Sequence, residues 1–150
     1  MFSASREIRF GDCDPSGIAY FPSYLNILNG VVEEFWGVVG FPWRELIVAR
    51  KIGTPTVHLD CDFSRPSVFG DLLTFDLCVR QLGRASLCFA HVVSGADGIR
   101  WKARQTVVAT STASHRAIPW PDDIRNALEE HVRAEDAIPL SEPDLSARPS

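Results

Sequence analysis

The chain has 150 residues, enough for one domain with a substantial core. A formal net charge of −4 excludes a general polyanion binder, which needs a broad basic surface, but leaves room for a small anion on a local basic patch. Apolar residues make up 45% of the chain without any run long enough to span a bilayer, so no membrane partner is expected. The N-terminus also lacks a basic segment followed by an apolar one, so no secretion signal is expected. The four cysteines, Cys13, Cys61, Cys78 and Cys88, show no C-x-x-C pairing. Three of them sit in strand-like patterns as small buried thiols, which favours a reducing, cytoplasmic setting.

The predicted elements begin with a strand from Ser5 to Phe10, with Ile8 and Phe10 on one face and Glu7 and Arg9 on the other. It ends at Gly11-Asp12-Cys13-Asp14-Pro15-Ser16-Gly17, where Asp-Pro and the final Gly mark a tight loop. Pro22 suits the first turn of a helix, because its missing N–H costs nothing there. Tyr24, Leu28, Val31, Val32, Phe35 and Val39 then recur at helical spacing. Leu25, Ile27, Trp36 and Val38 widen that stripe, so the helix is expected to be surrounded by other structure. Gly40 supplies a stop, and Pro42 opens a second short helix through about Arg50, closed by Gly53.

From there the period is two. Val57, Leu59, Cys61 and Phe63 alternate with His58, Asp60, Asp62 and Ser64. Leu73, Phe75, Leu77 and Val79 do the same against Thr74, Asp76, Cys78 and Arg80. A turn at Leu82-Gly83-Arg84-Ala85 leads to a strand from Ser86 to Ser94. Gly95-Ala96-Asp97-Gly98 is a hairpin signal before a long strand from Ile99 to Ser111. A last helix starts near Pro121-Asp122-Asp123 and fades by Arg133. One domain over residues 1–134 is expected, followed by a flexible tail, 135–150, rich in Pro, Ser and Asp. The order predicts an α+β fold: a five-stranded antiparallel sheet wrapped around one long helix.

His91, His115 and His131 lack metal-ligand spacing, and no H-E-x-x-H, G-x-S-x-G or phosphate-loop motif occurs, so no metal is expected. The phrases Phe10-Gly11-Asp12-Cys13-Asp14-Pro15, Phe21-Pro22-Ser23-Tyr24, Pro42-Trp43-Arg44 and Gly53-Thr54-Pro55 stand out instead. In this element order, from roughly Arg6 to Glu130, the chain resembles the 4-hydroxybenzoyl-CoA thioesterase family of hotdog proteins. The resemblance implies hydrolysis of an aryl-CoA or related acyl-CoA to free acid and CoA. Coenzyme A would be part of the substrate, and no cofactor is expected. It implies Asp14, the second Asp of the loop, as the catalytic carboxylate, and the backbone N–H of Phe21 as the donor that polarises the thioester carbonyl. Phe21-Pro22 replaces the aromatic-His pair of the Tol-Pal-associated branch, which points toward aryl-CoA substrates. Two departures stand out. Asn29 occupies the position of an acid that receives the ring hydroxyl in the hydroxybenzoyl enzyme. The family's run of three basic residues after the third strand is reduced to Arg84, which suggests that CoA phosphates are shared with Arg80. The family also implies a homodimer, often a dimer of dimers, with the site at the dimer seam.

A carboxylate on a loop facing a helix start can attack a thioester to form a mixed anhydride, or activate water as a base. The free N–H groups and dipole of the helix start then stabilise the oxyanion. Asp before Pro also shapes turns, so Asp14 has a plainer reading too. Asp12 is expected to hold loop backbone groups. Glu33 and Glu34 on the helix are a rival carboxylate pair, and Cys13 has no adjacent cation to lower its pKa. Gly17, Tyr20, Tyr24, Asn29 and His58 are candidates for the acyl pocket. Arg100, Lys102 and Arg104 alternate on one strand and could meet CoA phosphates or simply solvent. A carrier-protein thioesterase and a non-catalytic acyl-CoA-binding module are the rival functions.

Overall fold

The structure, a computed structural model, describes residues 1–133. In chain order the elements are β1 (Phe2–Glu7), α1 (Phe21–Val39), β2 (Ile52–Gly53), β3 (Thr56–Phe63), β4 (Leu72–Leu82), β5 (Ser86–Gly95), β6 (Gly98–Val108), β7 (Thr110–Ser111) and α2 (Asp122–Glu129). Five strands form one antiparallel sheet in the order β1-β4-β5-β6-β3, and β2 pairs separately with β7. This is the hotdog arrangement that the element order predicted.

The alternation on β4 is clean: Leu73, Phe75, Leu77 and Val79 are all buried. They face α1 through Tyr24, Leu28, Val31, Val32, Phe35 and Val39, the predicted stripe, every member of which is buried. Two clusters result, one around Phe35, Trp36, Phe89 and Trp120, the other around Tyr24, Leu28, Phe75 and Trp101. Each large side chain so buried contributes roughly 1.5–3 kcal/mol. Gly40 ends the helix at φ 103°, a left-handed conformation that favours glycine.

Several boundaries differ from the sequence reading. The first strand begins at Phe2 and ends at Glu7, so Phe10 leaves the sheet face and is 82% exposed. Asp12 causes this: its Oδ2 accepts the Arg9 N–H at 2.8 Å and closes a 3-10 turn over Phe10–Asp12. The second helix is a single π-helical stretch, Arg44–Ala49, and Gly53 belongs to β2 instead of closing it. The long last strand breaks at Ala109, after which β7 leaves the sheet to meet β2. The final helix stops at Glu129.

The helix α1 is not surrounded. Asn26, Asn29, Glu33, Glu34 and Val38 lie on an exposed flank. The strand β3 forms as predicted, yet its burial does not alternate: within one chain every residue except Cys61 is exposed, Val57 at 61% and Phe63 at 49%. The tail over 135–150 lies outside the described residues. Among the described residues, no helix is long and apolar enough to cross a membrane.

Candidate active site

The loop between β1 and α1 is tied at several points. The Asp14 N–H donates to the Ile18 carbonyl at 3.1 Å, the Gly17 N–H to the Asp14 carbonyl at 2.9 Å, and the Tyr20 N–H to the Asp12 carbonyl at 2.8 Å. Gly17 sits at φ 84°, so its identity is a backbone requirement of this turn. The Asp14 carboxylate takes part as well: Oδ1 accepts the Ser16 N–H at 2.8 Å and the Ser16 hydroxyl. Both bonds fall on Oδ1, which leaves Oδ2 available to a ligand.

Immediately after the loop, Phe21 opens α1. Its N–H precedes the intrahelical ladder, Pro22 has no N–H, and no side chain caps this end. An unspent donor and the positive end of the helix dipole thus face the loop. Asp14, Tyr20, Phe21 and Tyr24 line one open cleft of about 490 Å³, completed by Phe63 and Arg65 from the segment that ends β3. Its apolar wall is aromatic: Tyr24 stacks on Phe63 with centroids 5.9 Å apart and leans on Trp101 at 5.3 Å. The Tyr24 hydroxyl is buried with no partner among the described residues.

The segment 64–71, whose first three residues line the cleft, is braced from behind. Arg100 is buried and donates to the Pro66 carbonyl at 2.9 Å, the Ser67 hydroxyl at 3.1 Å and Asp71 at 2.9 Å, while also pairing with Asp97 at 2.8 Å. In return, the Ser67 carbonyl accepts the Ala19 N–H at 2.7 Å and so ties the segment to the loop between β1 and α1. The Val68 N–H and then the Arg100 guanidinium hold the Asp71 carboxyl below its ordinary range, and Arg100 does the same for Asp97. These partners correct both expectations for Arg100, the solvated strand face and the CoA-phosphate contact: it is spent inside the fold.

The remaining candidates divide by position. Gly17 shapes the loop but does not line the cleft. Asn29 lies two turns along α1, where it borders two smaller hollows of about 220 and 400 Å³ together with Thr56 and Gln105. His58 is exposed and lines none of these three spaces. Arg80 and Arg84 lie toward the far end of β4, the Arg84 turn being roughly 30 Å of strand from Leu72, beside which the Asp14 loop emerges. Glu33 and Glu34 do not line the cleft, and Glu34 pairs with Arg6.

Sequence reasoning missed Phe63, Arg65, Thr56, Gln105 and the role of His91. A signal existed for two of them: His91 interrupts Leu87, Phe89 and Val93, and Gln105 interrupts Trp101, Ala103 and Val107, each on the buried face of its strand. The His91 ring is fully enclosed, and burial pushes its pKa down to about 4 against the opposing pull of its bond to Gln105.

Residues 8–128 match the Thioesterase-like superfamily, and the chain belongs to it. Enzymes named for aryl-CoA substrates are among its relatives. The chain is 37% identical over 91 residues to the 4-hydroxybenzoyl-CoA thioesterase of Pseudomonas sp. (strain CBS-3), a match that spans 59% of this chain and 64% of that enzyme. It is 28% identical over 132 residues to the 1,4-dihydroxy-2-naphthoyl-CoA hydrolase of Nostoc punctiforme, covering 88% of this chain and 89% of that one. The crystal structure of the Pseudomonas enzyme superposes with a TM-score of 0.77 at 30% identity, over 84% of this chain and 97% of that one.

Proposed function

We propose that the chain hydrolyses an aryl-CoA, or a closely related acyl-CoA, to the free acid and CoA, with Asp14 as nucleophile or general base. One observation carries the reading: Asp14 and Phe21, the residue that opens α1 without a side-chain cap, line a single aromatic cleft. In the covalent route Asp14 Oδ2 adds to the thioester carbonyl carbon while the Phe21 N–H receives the oxyanion. The C–S bond breaks, CoA thiolate leaves, and water cleaves the mixed anhydride to return Asp14 and the acid. No histidine lines the cleft to serve as a separate base, which favours this route over direct activation of water. No step in it requires a metal or redox cofactor.

The same reading calls for a second copy of the chain. One side of β3 is bonded to β6, and the other side is an open edge bearing Val57, Leu59 and Phe63. A long apolar edge is an aggregation hazard unless something pairs with it. A homodimer joined along β3 removes the hazard and puts Phe63 and its cleft at the seam. Arg84 and Arg80, remote from Asp14 within one chain, would then serve CoA phosphates bound by another protomer, as in a dimer of dimers.

Thiol release from aryl-CoA, straight-chain acyl-CoA and carrier-protein esters tests the reading. Expected are turnover of aryl-CoA by the wild type and a loss of about 10³-fold or more in Asp14→Asn. Equal rates for the two proteins would overturn the role of Asp14. Turnover of carrier-protein esters alone would move the substrate to that class, and tight acyl-CoA binding without turnover would make the protein a binding module.

A further inference from the structure

Just past β3, the Ser64 N–H donates to the Arg100 carbonyl of β6 at 2.9 Å. In an antiparallel pair the bonding groups alternate along a strand. His58, Asp60 and Asp62 therefore turn their N–H and C=O groups to β6, and Leu59, Cys61 and Phe63 turn theirs to the open edge. The side chains alternate as well. Cys61 packs toward the cluster around Tyr24 and Leu28, so His58, Asp60 and Asp62 share the face away from α1, opposite Thr106, Arg104 and Lys102 of β6. The row offered to anything that pairs with this edge is thus one histidine and two acids, all exposed.

A closed assembly of two copies sets each element against its own counterpart across a twofold axis, so β3 meets β3 antiparallel. Residues directly opposite then share a face, and the residue on the axis names the register. An axis at Leu59 pairs residues 56–62 and one at Asp60 pairs 57–63, the two longest overlaps that Thr56–Phe63 allows. Both contain the irregularity between Thr56 and His58, which does not choose between them. Charge does. The outer-face residues have spent their bonding groups on β6, so across the seam they meet in the closer, non-hydrogen-bonded pairs, with Cα atoms about 4.5 Å apart. An axis at Asp60 presses Asp60 against itself. An axis at Leu59 sets His58 against Asp60 twice, Asp62 against Thr56, and Leu59 against itself on the apolar side.

We propose that two copies of the chain join along β3 about a twofold axis at Leu59, with His58 of each copy donating to Asp60 of the other. The proposal rests on the homodimer put forward above and gives it a register. A histidine can donate to a carboxylate in either charge state, so the pair forms whether or not the ring is protonated. The register also says what closes the Asp14 cleft. Phe63, which lines that cleft, lies as far beyond the axis as Pro55 lies before it, so the two come opposite each other across the seam. The Thr54-Pro55 segment of one copy thereby comes alongside the cleft of the other.

Thiol cross-linking tests the register. Leu59→Cys, made together with Cys61→Ser, puts two thiols across the axis with Cα atoms about 5.5 Å apart, within reach of a disulfide. Diamide should link this variant into a covalent dimer through residue 59, as mapped by peptide mass. The native Cys61 comes opposite Val57, roughly 13 Å of strand from its own counterpart, and should stay unlinked in the wild type. His58→Asp sets like charges opposite each other twice and should weaken the dimer about tenfold in sedimentation, and adding Asp60→His should restore it. A dimer that links through Cys61, fails to link through residue 59, or is indifferent to His58→Asp overturns the register and leaves the homodimer standing. A wild type that sediments as a monomer overturns both.

Discussion

The Asp14 carboxylate shapes its turn through one oxygen: Oδ1 accepts both bonds from Ser16, and the residue also lines the cleft, so the turn-shaping and catalytic readings of Asp14 are compatible. His91 divides its loyalties less evenly, because burial keeps it neutral. Its folded pKa, about 4, lies below the 6.5 of an unperturbed histidine. The unfolded chain therefore takes up a proton that the folded chain refuses. The stability this represents is whole above pH 6.5 and drains away as pH falls toward 4, by on the order of 3 kcal/mol. Asp71 and Asp97, whose values are lowered, give up their share only below the ordinary carboxylate range. Urea midpoints measured across this window should fall steeply for the wild type and less steeply for His91→Gln, with His131 common to both. Parallel slopes would remove His91 as the cause. The sequence exposed His91 as an interruption in an apolar face, but which polar group answered it depended on the register of β5 against β6.

Elements were legible where one period ran undisturbed. The helix α1 and the strands β4 to β6 have faces whose burial follows the residue pattern almost position by position. The misreadings cluster where a side chain overrides the period, as Asp12 does when it turns Phe10 out of the sheet. The segment 64–71 could not be read at all, since its shape comes from Arg100, some thirty residues away in sequence. Arg100→Met should strand Asp71 and free the Pro66 and Ser67 anchors, with a loss on the order of 3 kcal/mol. Thermal unfolding would show it as a drop in Tm, and a raised KM would report the slackened cleft wall. An unchanged Tm would mean that the segment holds itself.

For the molecule as a whole, the outstanding fact is the open edge. The apolar residues of β3 read from sequence as an ordinary buried face, because period two says that a face is apolar and not what covers it. If a second copy covers it, Leu59→Lys, which puts a charge on that edge, should leave a folded monomer by sedimentation and lower thioester hydrolysis at least tenfold. A dimer of undiminished mass would locate the interface elsewhere.

The sheet order has a further consequence. The Asp14 loop leaves β1 at one margin of the sheet, whereas Phe63 ends β3 at the other, four strand spacings away, or about 19 Å. Only the curl of the finished sheet and the traverse of α1 bring the two margins to one cleft. The hairpins β4-β5-β6 can assemble from near neighbours, but β1 must find a strand some seventy residues downstream, and β3 one some forty downstream. The cleft therefore depends on both margins of the sheet, and a fragment that lacks either margin lacks part of its lining.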